Sequence, residues 1–316
     1  MLAAVIVEGA VELQQRPDPQ PGNGEVLVRI RAAGINGADI LQRRGRYPAP
    51  PGAPADIPGL EFAGEVIERG PGATRFEVGR RVMGIVGGGG QAELITVHER
   101  LLMPVPDLLD WPEAGSLPEI YCTAYDALFG QGELRPGERV LINGGAGGVG
   151  TAAIQLATLT GAVPVATVRN PAMAAKVTHL GATVVVAEAG SDAAGEHGPF
   201  DVVLELVGAA NLTNALRALA PGGRVCFIGV GGGAKTEFNA LHLMGKRARI
   251  HGSTLRSSSL EEKAALARGL ERQVLPAFET GALRVVVDKT FELAEVHDAY
   301  EYFAAGGKFG KVTLLM

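Results

Sequence analysis

Between residues 138 and 255 the chain alternates short apolar runs with helical patterns, and this alternation restricts the possible folds more than any other feature. We predict six buried strands with helices between most of them, in the segments ERVLIN, VPVATV, TVVVAE, DVVLELV, GRVCFIGV and ARIHGSTL. Continuous apolar runs separated by helices are typical of a parallel sheet that is covered on both faces. The predicted fold class is therefore α/β, with a doubly wound parallel sheet.

A glycine-rich turn follows the first of these strands. In NGGAGGVGTAAIQLA, the residues Gly145, Gly147 and Gly150 form a G-x-G-x-x-G pattern between the strand and a helix. Glycines there permit a tight turn and a close approach of a pyrophosphate, which the first N–H groups of the helix then hold. A plain glycine turn is the alternative interpretation. In this strand–turn–helix setting the pattern predicts a Rossmann dinucleotide site that includes Gly148 and Val149.

The second predicted strand ends in VPVATVRN, with Arg169 at the position where this fold binds the adenosine ribose. An acidic residue there suits a free 2′-hydroxyl, whereas a basic residue suits a 2′-phosphate. No Asp or Glu lies between Gly150 and Glu188, so the sequence favours NADP(H) over NAD(H). The alternative is that Arg169 is only an exposed turn residue. Two later strand ends are expected to add backbone contacts, at Val207, Gly208, Ile228, Gly229 and Val230.

The first 110 residues have a different pattern, with short β-branched runs between Gly/Pro clusters. We predict an all-β module with one short helix near GADILQRRG and a stiff loop at residues 47–59, which contains five prolines. After residue 258, one long helix and a strand–helix–strand section are expected to pack on this module. The predicted domains are therefore a discontinuous one at residues 1–120 and 258–316, and a Rossmann domain at residues 121–257.

Charge and cysteine content exclude several classes of function. The chain has 29 Lys+Arg against 34 Asp+Glu, a net charge of -5, which disfavours nucleic-acid binding. The basic clusters at residues 43–46 and 246–249 lack interleaved aromatic residues, and we interpret them as solvated or phosphate-facing. Two cysteines are too few for a disulfide framework or a four-thiolate zinc site. With no basic leader before the first strand, we expect a cytoplasmic protein without membrane segments.

Several segments distributed over nearly the whole chain carry a family resemblance: AAGINGADILQRRGRY, PGLEFAGEVIERGPG, GGGQAEL, LPEIYCTAYDAL, GGVGTAAIQLA, STLRSSSLEEK and GKFGKVTLLM. In these segments the chain resembles the zinc-independent, zeta-crystallin-like quinone oxidoreductases of the medium-chain dehydrogenase/reductase superfamily. The LPE and STLR segments are similar to the tumour-suppressor-inducible branch. The resemblance implies a GroES-like β domain, a substrate cleft between the domains and a homodimer. It also implies cofactor contacts at Thr123, Asn170, Arg256, Phe309, Gly310 and Lys311.

The resemblance has two departures with chemical consequences. Zinc alcohol dehydrogenases of this superfamily hold a catalytic metal with Cys, His and Cys or Asp, and the matching positions here are Asn36, Leu60 and Glu119. Because leucine cannot ligate zinc, we expect no metal. Relatives commonly bind the 2′-phosphate with Ser, Lys and Tyr. The matching positions here are Asn170, Met173 and Glu188, and a glutamate would repel phosphate unless it points away.

Without a metal, the choice of acceptor depends on where the negative charge of the product goes. A reduced quinone delocalises that charge and takes a proton from solvent, whereas an enone needs a placed donor. By family position the catalytic candidates are Tyr47, Asn36 and Glu119. The alternatives are a packing role for Tyr47 and a turn role for Asn36, and we interpret Cys122 as a buried structural thiol. The predicted function is NADPH-dependent quinone reduction. Reduction of α,β-unsaturated carbonyls and a non-catalytic NADPH-binding role remain open.

Overall fold

The structure, a computed structural model, describes residues 1–316. The chain forms two compact units. Residues Met1–Cys122 and Leu255–Met316 make up one of them, which we call the discontinuous unit, and residues Thr123–Thr254 make up the other, which we call the central unit. No helix combines the length and the hydropathy that crossing a membrane requires.

The first part of the discontinuous unit consists mainly of antiparallel strands. In chain order they are β1 (Leu2–Val7), β2 (Ala10–Gln15), β3 (Glu25–Ile35), β4 (Glu61–Arg69), β5 (Arg81–Ile85), β6 (Leu94–His98) and β7 (Leu102–Pro104). Two helices accompany them, α1 (Gly37–Arg43) and α2 (Trp111–Tyr125). The short helix α1 lies where it was predicted. It begins after Asn36, where the side chain of Asp39 caps the chain.

The central unit is one six-stranded parallel sheet with helices. Its elements are β8 (Arg139–Asn143), α3 (Gly148–Leu159), β9 (Val163–Val168), α4 (Ala174–Thr178), β10 (Thr183–Val186), β11 (Phe200–Glu205), α5 (Leu212–Ala218), β12 (Leu219–Phe227), α6 (Ala240–Lys246) and β13 (Arg249–Gly252). The strand order β10-β9-β8-β11-β12-β13 is the doubly wound order. All six predicted strands are present, and the predicted fold class is confirmed.

The C-terminal section returns to the first module. It contains α7 (Leu260–Gln273), α8 (Leu275–Glu279), β14 (Val287–Glu292), α9 (Val296–Ala305) and β15 (Lys311–Leu315). Strand β15 pairs antiparallel with β3 and completes a sheet of order β14-β15-β3-β4-β5-β7, with β6 paired to β3. The prediction of one long helix is wrong. The helix breaks at Val274 because Pro276 has no N–H for the carbonyl one turn before it.

Candidate functional site

The turn between β8 and α3 contains the predicted glycines, and they do not all serve the same purpose. A Cβ on Gly150 would lie 2.3 Å from the carbonyl oxygen of Gly144, and one on Gly145 would lie 2.8 Å from the Cβ of Ala166. A Cβ on Gly147 would meet only the Gly144 oxygen, at 3.6 Å, which is an ordinary contact. Packing within the protein therefore requires glycine at 145 and 150. At Gly147 the protein instead leaves open space, which a ligand needs if it is to approach the backbone closely.

The first turn of α3 supplies the donors for such a ligand. Helix α3 has 12 residues and begins after Gly147, which has extended backbone and no side chain to cap the helix. The first N–H groups of a helix have no acceptor within it, and they lie at the positive end of the helix dipole. The residues present thus fit the pyrophosphate of a dinucleotide.

The ends of β9 and β10 carry the residues predicted to meet the adenosine ribose. Arg169 directly follows β9, is exposed, and has no hydrogen bond or ion pair. Asn170 uses its Oδ1 to accept from the N–H of Ala172, at 3.0 Å, so that oxygen stabilises a short turn. Glu188 lies exposed two residues after β10, the strand that pairs with β9. A free guanidinium and a carboxylate therefore both lie at this edge of the sheet.

The next strand end contains a residue that the sequence analysis did not identify. Glu205 ends β11 and is 1% exposed, and its carboxylate accepts hydrogen bonds from the N–H groups of Val207 and Gly208, both at 2.8 Å. It also accepts from the amide of Asn143 at the end of β8, at 2.7 Å. A signal was available, because a carboxylate inside the otherwise apolar run VVLELV must find hydrogen-bond donors.

The discontinuous unit has a buried ion pair beneath two of the predicted catalytic positions. Lys311 Nζ donates to Glu61 Oε1 at 2.7 Å, to Asn36 Oδ1 at 2.6 Å and to the carbonyl of Ile35 at 2.8 Å. Asn36 Nδ2 in turn donates to Glu61 Oε1 at 2.9 Å. A Cβ on Gly34 would lie 2.3 Å from the same oxygen, so glycine makes room for the carboxylate. The three protons of the ammonium are all used within the unit.

Asp39 extends this cluster under α1. Its carboxylate accepts from the N–H groups of Asn36, at 2.8 Å, and Gly59, at 3.1 Å, and from the amide of Gln91, at 3.3 Å. Tyr300 donates its hydroxyl to the same amide side chain, at 2.7 Å. Burial raises the pKa of Asp39 to about 6, although the two N–H groups oppose the shift. The side chain of Asn36 is thus part of a closed network, with both ends of its amide engaged.

Glu119 is the third predicted catalytic residue and has a different environment. It lies on α2, which packs so closely on β3 that a Cβ on Gly115 would lie 2.6 Å from Ala32. The N–H of Glu119 donates to Glu61 Oε2 at 2.7 Å. Burial first, and then the negative charge of Glu61, raise the pKa of the Glu119 carboxyl to about 8, while Lys311 opposes the shift. At neutral pH this carboxyl is mostly protonated, so it can act as a proton donor.

Tyr47 packs against an arginine. The guanidinium carbon of Arg256 lies 5.0 Å from the centre of the Tyr47 ring. Arg256 is 5% exposed and donates to the carbonyls of Gly87 and Tyr47, both at 2.8 Å, and to Gln42 Oε1 at 2.6 Å. These bonds pin the proline-rich loop within the discontinuous unit, which agrees with a packing role for Tyr47. A coenzyme contact at Arg256 stays a prediction.

The remaining predicted cofactor residues are distributed over both units. Thr123 is buried on α2 at the start of the central unit. In the discontinuous unit, Phe309 donates its N–H to Asp288 at 3.2 Å, and Gly310 has a φ of +88°. A Cβ on Gly310 would lie 2.2 Å from a backbone oxygen, so glycine is needed there for packing alone. Coenzyme contacts at these residues and at Lys311 stay predictions.

The donor set for a metal is poor. Nowhere in the chain do three or more His, Cys, Asp or Glu residues lie together in a way that could hold an ion. Two of the three positions that match zinc ligands are unsuitable, because Leu60 has no donor atom and Asn36 already binds the ammonium of Lys311. Both cysteines are buried, and burial raises the pKa of Cys226 to about 12. The residues present do not fit a catalytic zinc ion.

Comparison with known proteins assigns both units to one family. Residues 22–107 match the alcohol dehydrogenase GroES-like domain, and residues 148–271 match the zinc-binding dehydrogenase domain. The quinone oxidoreductase of Rattus norvegicus is 32% identical over 307 residues, which cover 94% of this chain and 91% of the rat protein. The chain belongs to the medium-chain dehydrogenase/reductase superfamily. It is an oxidoreductase, as the resemblance implied.

Solved structures of similar proteins agree with this membership. The quinone oxidoreductase of Thermus thermophilus, determined with and without NADPH, has a TM-score of 0.86 and 33% identity, and both chains are covered at 100%. A mycobacterial protein complexed with NADPH has a TM-score of 0.87 and 28% identity, again with both chains covered at 100%. Membership of the narrower tumour-suppressor-inducible branch of the superfamily stays a prediction.

Proposed function

We propose that this oxidoreductase is an NADPH-dependent quinone reductase that works without zinc. The observation that carries the proposal is the ion pair of Lys311 with Glu61. The ammonium of Lys311 occupies Glu61 Oε1 and Asn36 Oδ1, and the N–H of Glu119 occupies Glu61 Oε2. Because Leu60 also offers no donor, the cluster has no position for a Lewis acid. An acceptor that needs no electrophile is the one that suits such a cluster best.

The coenzyme half of the proposal rests on the central unit. Open space at Gly147 and the first turn of α3 fit the pyrophosphate, and the unpaired Arg169 is placed to meet a 2′-phosphate. The similar proteins that were solved with NADPH support the same coenzyme. A guanidinium binds phosphate oxygens in a bidentate way, so Arg169 would favour NADPH over NADH.

Bound NADPH supplies a hydride. The quinone gains that hydride and one proton from solvent, so NADPH, a proton and a quinone become NADP⁺ and a hydroquinone. The hydroquinone anion is weakly basic because its charge is delocalised, so no side chain has to be an obligatory acid. The part of the protein in this reaction is therefore to hold and orient the two reactants.

Reduction of α,β-unsaturated carbonyls is the second candidate, and one observation favours it. Such substrates need a proton at the α-carbon or on the enolate, and Glu119 is protonated at neutral pH because its pKa is raised to about 8. A positioned acid of this kind is what an enone reductase requires and a quinone reductase can omit. The enzyme would then transfer hydride to the β-carbon.

A turnover panel tests these assignments. Purified protein is assayed with NADPH and NADH against simple quinones, enones, and ordinary aldehydes, and its zinc content is measured. We expect NADPH oxidation with quinones, no zinc, and no effect of a chelator. One bound zinc per chain with activity lost to the chelator would refute the zinc-free mechanism. NADPH binding without turnover of any acceptor would favour the non-catalytic role. The homodimer and the cytoplasmic location stay predictions.

A further inference from the structure

The carboxylate of Glu205 has an unusual set of partners. Oε1 accepts from the N–H groups of Val207 and Gly208, both at 2.8 Å, and from Asn211 Nδ2 at 3.1 Å. Oε2 accepts from Asn143 Nδ2 at 2.7 Å and from Asn211 Nδ2 at 3.1 Å. Every partner is a neutral N–H donor, and none of these nitrogens can accept a hydrogen bond from the carboxyl group.

This pattern fixes the charge state that the site needs. A protonated carboxyl would direct its O–H at a donor, so only the ionised form satisfies all of these hydrogen bonds. Burial raises the pKa of Glu205, and the hydrogen bonds from Gly208, Asn143 and Val207 oppose that shift. A glutamine could not replace it, because its NH₂ group would face the amide of Asn143 or Asn211.

The backbone of Glu205 connects two loops at the edge of the sheet. Its carbonyl accepts from the N–H groups of Ile228 and Gly229, at 3.0 and 3.1 Å. The carbonyl of Val207 then accepts from Gly232 at 2.7 Å. The segment that follows β11 and the segment that follows β12 are thereby joined. Both segments contain predicted coenzyme contacts.

A second chain of bonds leads from Glu205 to the glycine turn. Asn143, which donates to the carboxylate, accepts at its Oδ1 from the hydroxyl of Thr167, at 3.1 Å. That hydroxyl accepts from the N–H of Gly144 at 3.2 Å, and the carbonyl of the same threonine accepts from Gly145 at 2.9 Å. One carboxylate therefore connects the carboxyl ends of β8, β9 and β11.

We propose that Glu205 is a positioning residue for the coenzyme: its ionised side chain holds the glycine turn and the two loops in the arrangement that binds the dinucleotide. The proposal rests on the proposed coenzyme binding. Glu205 is buried beneath the edge and does not touch the ligand. It acts through Val207, Gly208 and Asn143. It contributes to binding because loops that are already ordered lose little conformational entropy when the coenzyme binds.

The test measures dissociation constants for NADP⁺ and NAD⁺ by calorimetry in wild type and Glu205→Gln. We expect both coenzymes to weaken by the same factor, about ten- to a hundredfold, because the variant disturbs donors common to both and leaves Arg169 in place. An unequal loss or wild-type affinity in the folded variant overturns the proposal. If wild type binds neither coenzyme, the proposed function itself fails, and the two failures are thus distinguishable.

The control separates positioning from general destabilisation. Glu138 is a glutamate of the same unit that lies at the start of β8, at the opposite edge of the sheet, where it accepts from Arg224 at 2.9 Å. Glu138→Gln is expected to lower the melting temperature and to leave both dissociation constants within about threefold of wild type. Equal loss of affinity in the two variants would show that Glu205 only stabilises the fold, and would overturn the proposal.

A rescue variant provides the decisive readout. In Glu205→Gln with Asn143→Asp, the introduced amide donates to the introduced carboxylate, and the oxygen of that amide still accepts from Val207 and Gly208. The introduced carboxylate can still accept from Thr167. We expect this double variant to regain most of the lost affinity for both coenzymes. If Glu205→Gln does not fold, the double variant and Asn211→Ala are measured instead. Asn211→Ala keeps the charge of Glu205 and removes the two hydrogen bonds from Asn211 to it, together with the one that Asn211 accepts from Gly190. Wild-type affinity in Asn211→Ala, or a folded double variant that lacks affinity, then contradicts the proposal.

Discussion

Glu61 and Glu205 are both buried carboxylates, 0% and 1% exposed, and the two units neutralise them in opposite ways. Glu61 has a full positive charge beside it, since Lys311 Nζ lies 2.7 Å from its oxygen. Glu205 has no cation among its partners and is held by the N–H groups and amides of four neutral residues. A glutamate side chain is thus part of an ion pair in one unit. In the other unit it is surrounded by neutral hydrogen-bond donors only, an arrangement that we call a dipole cage.

This difference indicates what each region is built to do. An internal ion pair is complete without a ligand, and the loss of either partner leaves an uncompensated buried charge. A dipole cage at the edge of a sheet instead orders the loops that a ligand must use. We therefore expect changes in the discontinuous unit to affect stability and the chemical step, and changes at the edge of the central unit to affect coenzyme affinity.

The largest expected effect is on stability, in Lys311→Met. The substitution leaves Glu61 buried without its cation, and the free energy of unfolding should fall by about 3 to 5 kcal/mol. Urea denaturation followed by circular dichroism measures the loss. Adding Glu61→Gln removes the stranded charge, and this double variant should recover most of the stability. A single variant as stable as wild type, or a double variant no better than the single, would contradict the interpretation of this pair.

The glycine turn should separate affinity from folding within one loop. In Gly147→Val the new side chain enters open space where the pyrophosphate approaches, so the chain should fold and NADPH binding should weaken about a hundredfold or more. In Gly150→Val the side chain would meet a backbone oxygen at 2.3 Å, so the fold itself should suffer. Fluorescence titration and thermal melting measure the two effects. Unchanged NADPH affinity in folded Gly147→Val refutes the site.

The parts that the sequence predicted are those that local rules determine. Six apolar runs and a glycine pattern predicted the parallel sheet and its turn, because period, turn chemistry and burial all agree there. The break between α7 and α8 was not predicted, although Pro276 indicates it. The bond from Asn143 to Glu205 and the pairing of Glu61 with Lys311 could not be predicted. They join residues that are 62 and 250 positions apart in the chain, and only the strand register brings these residues together.

The chemical role of the discontinuous unit is tested by Glu119→Gln. With its pKa raised to about 8, Glu119 is an acid below that pH and loses its proton above it. Wild-type turnover of an enone should therefore fall as the pH rises through about 8. The variant should be about a hundredfold slower, and its rate should not show this fall with pH. Quinone turnover should change little, since solvent protonates the product. A quinone rate that falls as much as the enone rate would make Glu119 an obligatory acid, contrary to the proposed mechanism.

The smallest expected effect concerns coenzyme choice at the edge of the central unit, in Arg169→Ala. Val168 pairs with Val186 in the register of β9 and β10, so Arg169 and Glu188 follow neighbouring strand ends. The guanidinium is exposed and has no protein partner, and a hydrogen bond to a charged group contributes about 1.5 to 3 kcal/mol. NADPH affinity should therefore fall about ten- to a hundredfold while NADH affinity stays the same.

The competing charge is that of Glu188, and Glu188→Gln should strengthen NADPH binding if that carboxylate faces the 2′-phosphate. Arg135→Ala, which removes the same charge from the turn before β8, is the control for net charge and should leave both affinities unchanged. Equal losses of affinity for the two coenzymes in Arg169→Ala, or a wild type that prefers NADH, would mean that this edge of the sheet binds the dinucleotide without recognising the 2′-phosphate.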